Sequence, residues 1–185
     1  MLKNNLVSIV RGIEPLYHGS GELGIRVFRK AYDDTIGEGI YLTSDIESAE
    51  GYAKLRSQNT KTPVVYSVSV DGLNFLDFRE IKTLDIVMAS FLEVLTDKLK
   101  HAKKWYVVAS TKKAIEDIRN KKYIKSGIKE ITFSHGDIFS RHIESLGYDG
   151  LLALEGGEGK YRKIHDSWVV HNPSKVNFIG ERKIV

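Results

Sequence analysis

Tyr41 and Tyr52, eleven positions apart, are the side chains around which chemistry can first be placed in this sequence. Residues 40–42 form a short apolar run typical of a strand, and a segment with helical signals follows it. A strand that runs directly into a helix can bring both rings to one pocket, where they can hold a flat heterocycle. The alternative interpretation is that both tyrosines are ordinary core aromatics, and this stretch alone favours neither.

The residues around this stretch predict its local geometry. Gly37 and Gly39 precede the strand and permit a tight turn or a close backbone approach. Ser44 and Glu47 have the spacing of a capping box, so a helix should begin at about Asp45.

A second group of candidate residues, His18, Gly19 and Ser20, closes a short predicted strand at residues 16–18. Residues 19–24 also match the G-x-G-x-x-G pattern of dinucleotide-binding loops. That interpretation requires a long buried strand before the glycines, a helix that opens on them and an acid about 20 residues later. Because the strand is short and residues 37–41 interrupt any strand–helix–strand unit, we reject it.

Size and composition limit the class of protein. The chain has 185 residues, 42% of them apolar and 28% charged, which suits one globular domain over residues 1–185. It has no cysteine, which excludes disulfides and thiolate zinc sites and fits a reducing cytosol. Four histidines, at positions 135, 142, 165 and 171, show no metal spacing; we interpret them as surface or capped residues and predict no metal site. No apolar run approaches the roughly 20 residues of a membrane span, so we predict a cytoplasmic protein.

The order of secondary structure predicts an α+β fold. Strands are predicted at residues 16–18, 40–42, 64–70, 74–77, 151–154, 167–171 and 176–179. Helices are predicted as a lead-in at residues 2–10, at 81–99, from Ser110 or Thr111 to about 122, and at 136–146. Strands dominate both ends and helices the middle, so we expect an α+β domain with a helical insertion at about residues 79–135.

Five short motifs occur in an informative order. They are HGS at residues 18–20, GIY at 39–41 followed by Tyr52, the valine-rich strand with NFLD at 74–77, GYDG at 147–150, and WVVHNPS at 168–174. In this order and spacing the chain resembles the ADP-ribosyltransferase superfamily, in its diphtheria-toxin-like (PARP-like), His-Tyr-Glu branch. The resemblance covers nearly the whole chain except the insertion. It implies a split, mostly antiparallel β core with NAD in a cleft between two half-sheets.

The resemblance also implies roles for single residues. His18 would hydrogen-bond the adenine-side ribose of NAD, and the backbone of Gly19 would hold the nicotinamide carboxamide. Tyr41 and Tyr52 would flank the nicotinamide ring. Many relatives carry a serine three residues before the second tyrosine, where this chain has an alanine preceded by Ser48. The implied NAD-binding residues are therefore His18, Gly19, Ser20, Tyr41, Ser48 and Tyr52.

The chain departs from the family at the third catalytic position. Relatives usually carry a glutamate just before the aromatic-Val-Val core of the strand, where this chain has Ser167, with Asp166 one residue earlier. Alternation along a strand would point these two side chains to opposite faces unless a bulge intervenes. Glu155 and Glu158 in the preceding loop are further candidates. Our order of preference is Asp166, then Ser167 in place of the acid, then Glu155.

The chemistry explains why an acid is expected. Breaking the nicotinamide–ribose bond builds an oxocarbenium-like charge, which a fixed carboxylate stabilises. The resemblance thus implies a mono-ADP-ribosyltransferase that uses NAD as substrate and modifies a macromolecular acceptor. Bacterial or phage relatives of this size are often toxins or host-modifying effectors, which suggests an antitoxin or a host protein as partner. One alternative is an inactive NAD-pocket or nucleic-acid-binding module of the same fold. Another is transfer of a 2′-phosphate from RNA to NAD, which calls for several arginines in the cleft.

The insertion concentrates positive charge. Residues 98–129 carry eleven lysines and arginines against two acids, whereas the net charge of the whole chain is +4. A solvated helical face is one interpretation. The other is a site for RNA or DNA beside the NAD cleft, because Trp105, Tyr106 and Tyr123 lie among the lysines and rings can stack on unpaired bases.

Overall fold

The computed structural model describes residues 7–13, 15–31, 36–57, 62–126, 128–132, 134–156 and 163–184. Its strands are β1 (Ile9–Arg11), β2 (Leu16–Ser20), β3 (Ile40–Leu42), β4 (Val64–Ser69), β5 (Asn74–Asp77), β6 (Gly150–Glu155), β7 (His165–Val170) and β8 (Asn177–Lys183). Its helices are α1 (Ile46–Arg56), α2 (Ile81–His101), α3 (Trp105–Arg119), α4 (Tyr123–Ser126), α5 (Lys129–Thr132) and α6 (Gly136–Ser145), with a 3-10 turn at Pro173–Lys175. Strands at both ends and helices in the middle make the chain α+β, as predicted.

The described strands form two sheets. One has the order β1-β5-β6-β7-β3, with β5 and β6 parallel, and the other has the antiparallel order β2-β4-β8. A bridge between Tyr17 of β2 and Thr43, just after β3, joins the two sheets through backbone hydrogen bonds of 2.8 and 2.9 Å. We call this junction of β2 and β3 the seam.

Both faces of the five-stranded sheet are covered, so alternation along each strand decides the layer that a side chain enters. Leu42 and Trp168 face the three-stranded sheet and pack with Tyr66. Leu151 and Val169 point to the opposite face and pack under α2, α3 and α6. We call this second face the helix side.

The helices α2 and α3 form an antiparallel hairpin, since only residues 102–104 connect them. The hydroxyl of Tyr123, just after α3, donates to Asp85 in the first turns of α2 at 2.7 Å, which closes the base of the hairpin. The 21 residues of α2 span about 30 Å at 1.5 Å per residue. The turn at residues 102–104 is therefore the tip of the hairpin, about 30 Å from its base.

Three sequence predictions need correction. The lead-in helix is wrong where the chain is described, because Ile9–Arg11 pairs with β5 as a strand; residues 2–6 lie outside the described part. Helix α3 begins at Trp105 and not at Ser110 or Thr111, because the apolar run before Ser110 forms its first turns. The G-x-G-x-x-G segment follows an antiparallel strand, and residues 21–30 contain no helix, so rejecting the dinucleotide loop was correct.

Asp117 should contribute to the stability of the hairpin, because its buried carboxylate accepts from Lys113 at 2.5 Å and from Lys122 at 2.6 Å. Burial alone would raise the pKa of Asp117, but these hydrogen bonds and charges hold it below its usual value. Asp117→Asn should lower the free energy of unfolding by about 2 kcal/mol at pH 7, since the lysines are half-exposed and regain water. Urea unfolding measures this loss.

The pH dependence follows from the lowered pKa. The carboxylate stabilises the folded state above the unfolded pKa of about 3.9, and this contribution disappears as the pH falls through the folded pKa. The difference between Asp117→Asn and the wild type should therefore shrink below about pH 4. Glu116→Gln, an exposed neighbour on the same helix, is the control and should change little at either pH. Equal losses in the two variants would contradict a specific role for Asp117.

Candidate functional site

A cavity of about 800 Å³ opens at the seam. Its wall is formed by the ends of β2 and β3, one face of α1, the ends of β6 and β7, the start of α2, and α4 and α5. This volume lies in the range of roughly 300–1,000 Å³ that small-molecule and cofactor sites occupy. Among the predicted site residues, the lining contains His18, Gly19, Ser20, Tyr41, Tyr52 and Ser167.

His18 is half-buried on β2, where its ring packs edge-on against Phe28 at a centroid distance of 5.5 Å. Its Nδ1 lies 2.9 Å from the carbonyl oxygen of Tyr41. Because a carbonyl only accepts, Nδ1 carries the proton, and Nε2 of the neutral ring is an acceptor. Burial lowers the pKa of His18, the hydrogen bond to Tyr41 opposes this, and the charge of Arg56 lowers it further. The ring is therefore neutral at pH 7.

Tyr41 lines the cavity and also holds the turn before β3. Its hydroxyl donates to the carbonyl oxygen of Gly37 and accepts from the amide of Ile36, both at 2.8 Å. Gly37 has φ +103°, a left-handed conformation that favours glycine, so the predicted tight turn is confirmed. The ring lies against the helix-side core, so Tyr41 is both a core aromatic and a cavity residue.

Helix α1 begins one residue later than the capping box predicts. Its N-cap is Asp45 and not Ser44; the Asp45 carboxylate accepts from the amide of Glu47 at 3.3 Å and from the hydroxyl of Ser48 at 2.8 Å. Ser48 belongs to this cap and lies outside the described lining, so its contact with NAD stays a prediction. The residues of α1 in the lining lie on one helical face: Ala49, Tyr52, Leu55 and Arg56.

Gly19 is the point where β2 lies directly against α1. A Cβ at this position would overlap the carbonyl oxygen of Ala49 and would lie 2.8 Å from the amide nitrogen of Ala53. Packing alone therefore requires a glycine here, whatever its backbone contacts in the cavity. The close approach also sets how near Tyr52 stands to β2.

The register of β6 and β7 separates the two candidate residues at the third catalytic position. The ladder is unbroken over all six residues of each strand, so no bulge intervenes. Ser167 is buried and lines the cavity on the face that also carries Tyr41, because Tyr41 pairs with Val169. Asp166 points to the opposite face, where its carboxylate accepts from Arg79 at 3.0 Å. Asp166 does not belong to the described lining of the cavity. Our first choice for the third catalytic position is therefore less well placed than Ser167.

Among the described residues of β6 and β7, Glu155 is the acid on the same face as Ser167; Glu158 lies outside the described residues. Glu155 pairs with His165 at the end of β6, two positions along the strand from the Ala153–Ser167 pair. Side chains two positions apart share a face, so Glu155 lies on the same side as Ser167 and Tyr41. It is half-buried and lines the cavity. Among the described residues, Glu22 is the other acid of the lining.

Four cations that sequence reasoning missed also line the cavity: Arg29, Arg56, Arg79 and Lys129. Arg79 forms a bidentate pair with Asp77 at 2.8 Å, and these hydrogen bonds raise the pKa of its guanidinium. Only Arg56 had a sequence signal, since it stands one helical turn after Tyr52. The other three come from separate segments, and no local spacing connects them.

The four histidines interpreted as surface or capped residues are buried, with 0% to 9% of their surface exposed. His165 packs edge-on against Tyr52 at 5.7 Å and lines the cavity. Burial lowers the pKa of His171 to about 3, with a further contribution from the charge of Lys30. The surface part of this interpretation was wrong, because segments distant in the sequence cover the rings. The capped part holds for His142, which lies 2.8 Å from the Ser90 hydroxyl, and for His165, which lies 2.8 Å from the Lys163 carbonyl oxygen.

Within the described residues, no group of histidine and acidic side chains could hold a metal ion. No helix in the same residues is long and apolar enough to cross a bilayer. Comparison of the chain with protein-family models, with curated proteins and with solved structures found no match in any of the three.

Proposed function

We propose that this protein is a mono-ADP-ribosyltransferase, which cleaves NAD at the nicotinamide–ribose bond and transfers ADP-ribose to a macromolecular acceptor. One observation carries the proposal. His18, Tyr41, Tyr52 and Ser167, which the resemblance selects from four separate segments, line a single cavity at the seam between two sheets.

The fold supports the proposal at the level of architecture. The resemblance calls for a split, mostly antiparallel core, and the chain has a five-stranded and a three-stranded sheet joined at Tyr17 and Thr43. His18 stands on one sheet and Tyr41 on the other, with 2.9 Å between the His18 ring and the Tyr41 carbonyl. This hydrogen bond holds the two sheets in register at the centre of the proposed site.

The chemistry of the wall suits a dinucleotide. The neutral ring of His18 can accept from a ribose hydroxyl through Nε2. The ring of Tyr52 offers a face or an edge to a flat heterocycle. Arg29, Arg56 and Lys129 are exposed at the cavity and can neutralise a diphosphate.

The reaction needs a carboxylate, and we assign this role to Glu155. Cleavage sends the electron pair of the bond to nicotinamide, which leaves neutral, while positive charge develops on the ribose. The Glu155 carboxylate would stabilise that charge. The nucleophilic atom of the acceptor then bonds to the ribose carbon and loses a proton, for which Glu155 is the base. Ser167, at the usual place of the acid, can donate a hydrogen bond but cannot supply the charge.

A second candidate function is favoured by the arginines. Transfer of a 2′-phosphate from RNA to NAD calls for several arginines in the cleft, and Arg29, Arg56 and Arg79 all line the cavity. Few arginines lie near the motifs in the sequence, so only the fold brings these three to one cavity. The buried Ser167 in place of the usual acid favours a third outcome, an inactive NAD-binding module.

One experiment separates these functions. The protein is incubated with adenine-labelled NAD and a cell lysate, and released nicotinamide and macromolecular label are measured, followed by separate nuclease and protease digestion. If the protein is a mono-ADP-ribosyltransferase, label should appear in the acceptor while nicotinamide is released in proportion. A parallel reaction with 2′-phosphorylated RNA tests phosphate transfer. NAD binding without either product identifies the inactive module, and absence of NAD binding by calorimetry overturns the proposal.

His18→Ala should weaken NAD binding by at least about tenfold, because the ring supplies one hydrogen bond and the contact between the sheets. Calorimetry with NAD measures this loss, and thermal unfolding tests whether the variant is folded. His101→Ala is the matched control, since its side chain is 76% exposed at the tip of the hairpin. Equal affinity of the two variants for NAD would exclude His18 from the site.

A further inference from the structure

The tip of the helical hairpin exposes two aromatic rings. Trp105 has 81% of its surface exposed and Tyr106 has 52%, whereas large aromatic side chains are mostly buried elsewhere in the described core. Their rings meet edge to face, with centroids 6.1 Å apart and planes at 88°. The ammonium of Lys104 lies 5.8 Å from the centre of the Tyr106 ring. Trp105 therefore has a ring face open to solvent, and the contact with Tyr106 supports the ring.

Exposed cations continue from the tip along α3. Trp105, Lys112 and Arg119 are spaced seven residues apart, which places them on one face of the helix about 10 Å apart. Lys103 and Lys104 precede Trp105 at the tip. We call these five residues the hairpin stripe. Glu116, between Lys112 and Arg119, is the exposed acid of α3.

The stripe cations differ from the other lysines of the insertion. Lys113 and Lys122 are paired with Asp117, and Lys121 with Asp85. Within the described residues, the four stripe cations form no ion pair, so their charges can act on a partner. Because α3 runs from the tip to the base, the stripe points toward the end of the hairpin where Lys129 lines the cavity.

We propose that the hairpin stripe docks single-stranded nucleic acid, with one base stacked on Trp105 and phosphates on the four cations. Residues 98–129 carry a charge excess of nine, whereas the rest of the chain is net acidic, so the positive field is concentrated on this hairpin. Stacking on an exposed ring needs an unpaired base, which a duplex does not offer. The surface goes beyond the proposed function, because it exists whether or not the cavity is active.

The geometry corrects two parts of the sequence hypothesis. Tyr123 cannot stack on bases, because it is 4% exposed and its hydroxyl is bonded to Asp85. The stacking ring is also not beside the cavity, since the tip lies about 30 Å from the base of the hairpin. A strand bound at Trp105 would have to follow the stripe along α3 to reach the cavity.

The test is fluorescence anisotropy of a labelled 15-mer of deoxythymidine and of a 15-base-pair duplex, without NAD. Single-strand binding should be at least about tenfold tighter than duplex binding, because only the single strand stacks. Trp105→Leu should weaken it by about tenfold, and Trp105→Phe should retain most of the affinity because a ring remains. Equal affinity of the Leu and Phe variants would overturn stacking. The mixture contains no NAD, so failure here leaves the transferase proposal untouched, and the reverse also holds.

Salt dependence tests the phosphate contacts. Four contacts to a single strand predict a slope of about −3 in log affinity against log salt, and Lys112→Gln with Arg119→Gln should reduce it to about −1.5. Lys54→Gln with Lys183→Gln removes the same charge from exposed positions on α1 and β8 and should leave the slope unchanged. The proposal is overturned if the two pairs of substitutions change the slope equally, or if the duplex binds as tightly as the single strand. It is also overturned if the protein binds anionic lipid vesicles but neither oligonucleotide.

Discussion

Glu155→Gln should lower the rate of nicotinamide release by about two to three orders of magnitude while NAD affinity changes little. The expected size is that of removing one preorganised group that stabilises charge in a transition state. The amide keeps the shape of the side chain but loses the negative charge, so ground-state binding is retained and only turnover falls. Measuring the dissociation constant by calorimetry and the rate by nicotinamide release separates the two effects.

Asp166→Asn is the matched comparison, because it removes the same charge from the neighbouring strand on the opposite face of the sheet. It should loosen the contact to Arg79 and lower turnover far less than Glu155→Gln. Ser167→Ala should also have a smaller effect, since a hydroxyl carries no charge. Full activity of Glu155→Gln together with loss in Asp166→Asn would return the catalytic role to Asp166 and contradict the face argument.

Gly19→Ala should lower the free energy of unfolding by about 3 kcal/mol, the upper part of the range for overpacking a close contact. The added methyl group meets the backbone of α1 at Ala49 and Ala53, which cannot rotate away as a side chain could. In a chain of this size the loss corresponds to a fall of about 6–12 °C in the melting temperature. Thermal unfolding followed by circular dichroism measures it.

Gly180→Ala on β8 is the control for the change of residue type. A Cβ at this position meets nothing within 4 Å, so the substitution should be neutral or slightly stabilising. NAD binding by Gly19→Ala should also weaken, because α1 must move away from β2 and takes Tyr52 with it. A melting temperature for Gly19→Ala at or above that of Gly180→Ala would show that β2 and α1 are not in close contact.

The local elements could be predicted because their signals lie within a few residues. The strand predicted at 74–77 is β5, and the helix predicted at 81–99 is α2, two residues longer. β-Branched and helical apolar patterns are local properties of a segment. The lead-in at Ile9–Arg11 was predicted wrongly because its strand state depends on pairing with β5, more than sixty residues away.

The residues of the candidate site also differ in whether local sequence or long-range pairing predicts them. The sequence grouped His18, Tyr41, Tyr52 and Ser167 through the family that the order of its short motifs resembles, and all four line the same cavity. Which acid lies on the same face as Ser167 depends on strand pairing, which only the folded chain shows. The unbroken pairing of β6 with β7 turns Asp166 away and Glu155 toward the cavity, and no pattern within one strand contains that pairing. The positive charge of the cavity wall also depends on the tertiary structure. The lining cations at positions 29, 56, 79 and 129 come from four separate segments, which only the folded chain brings together.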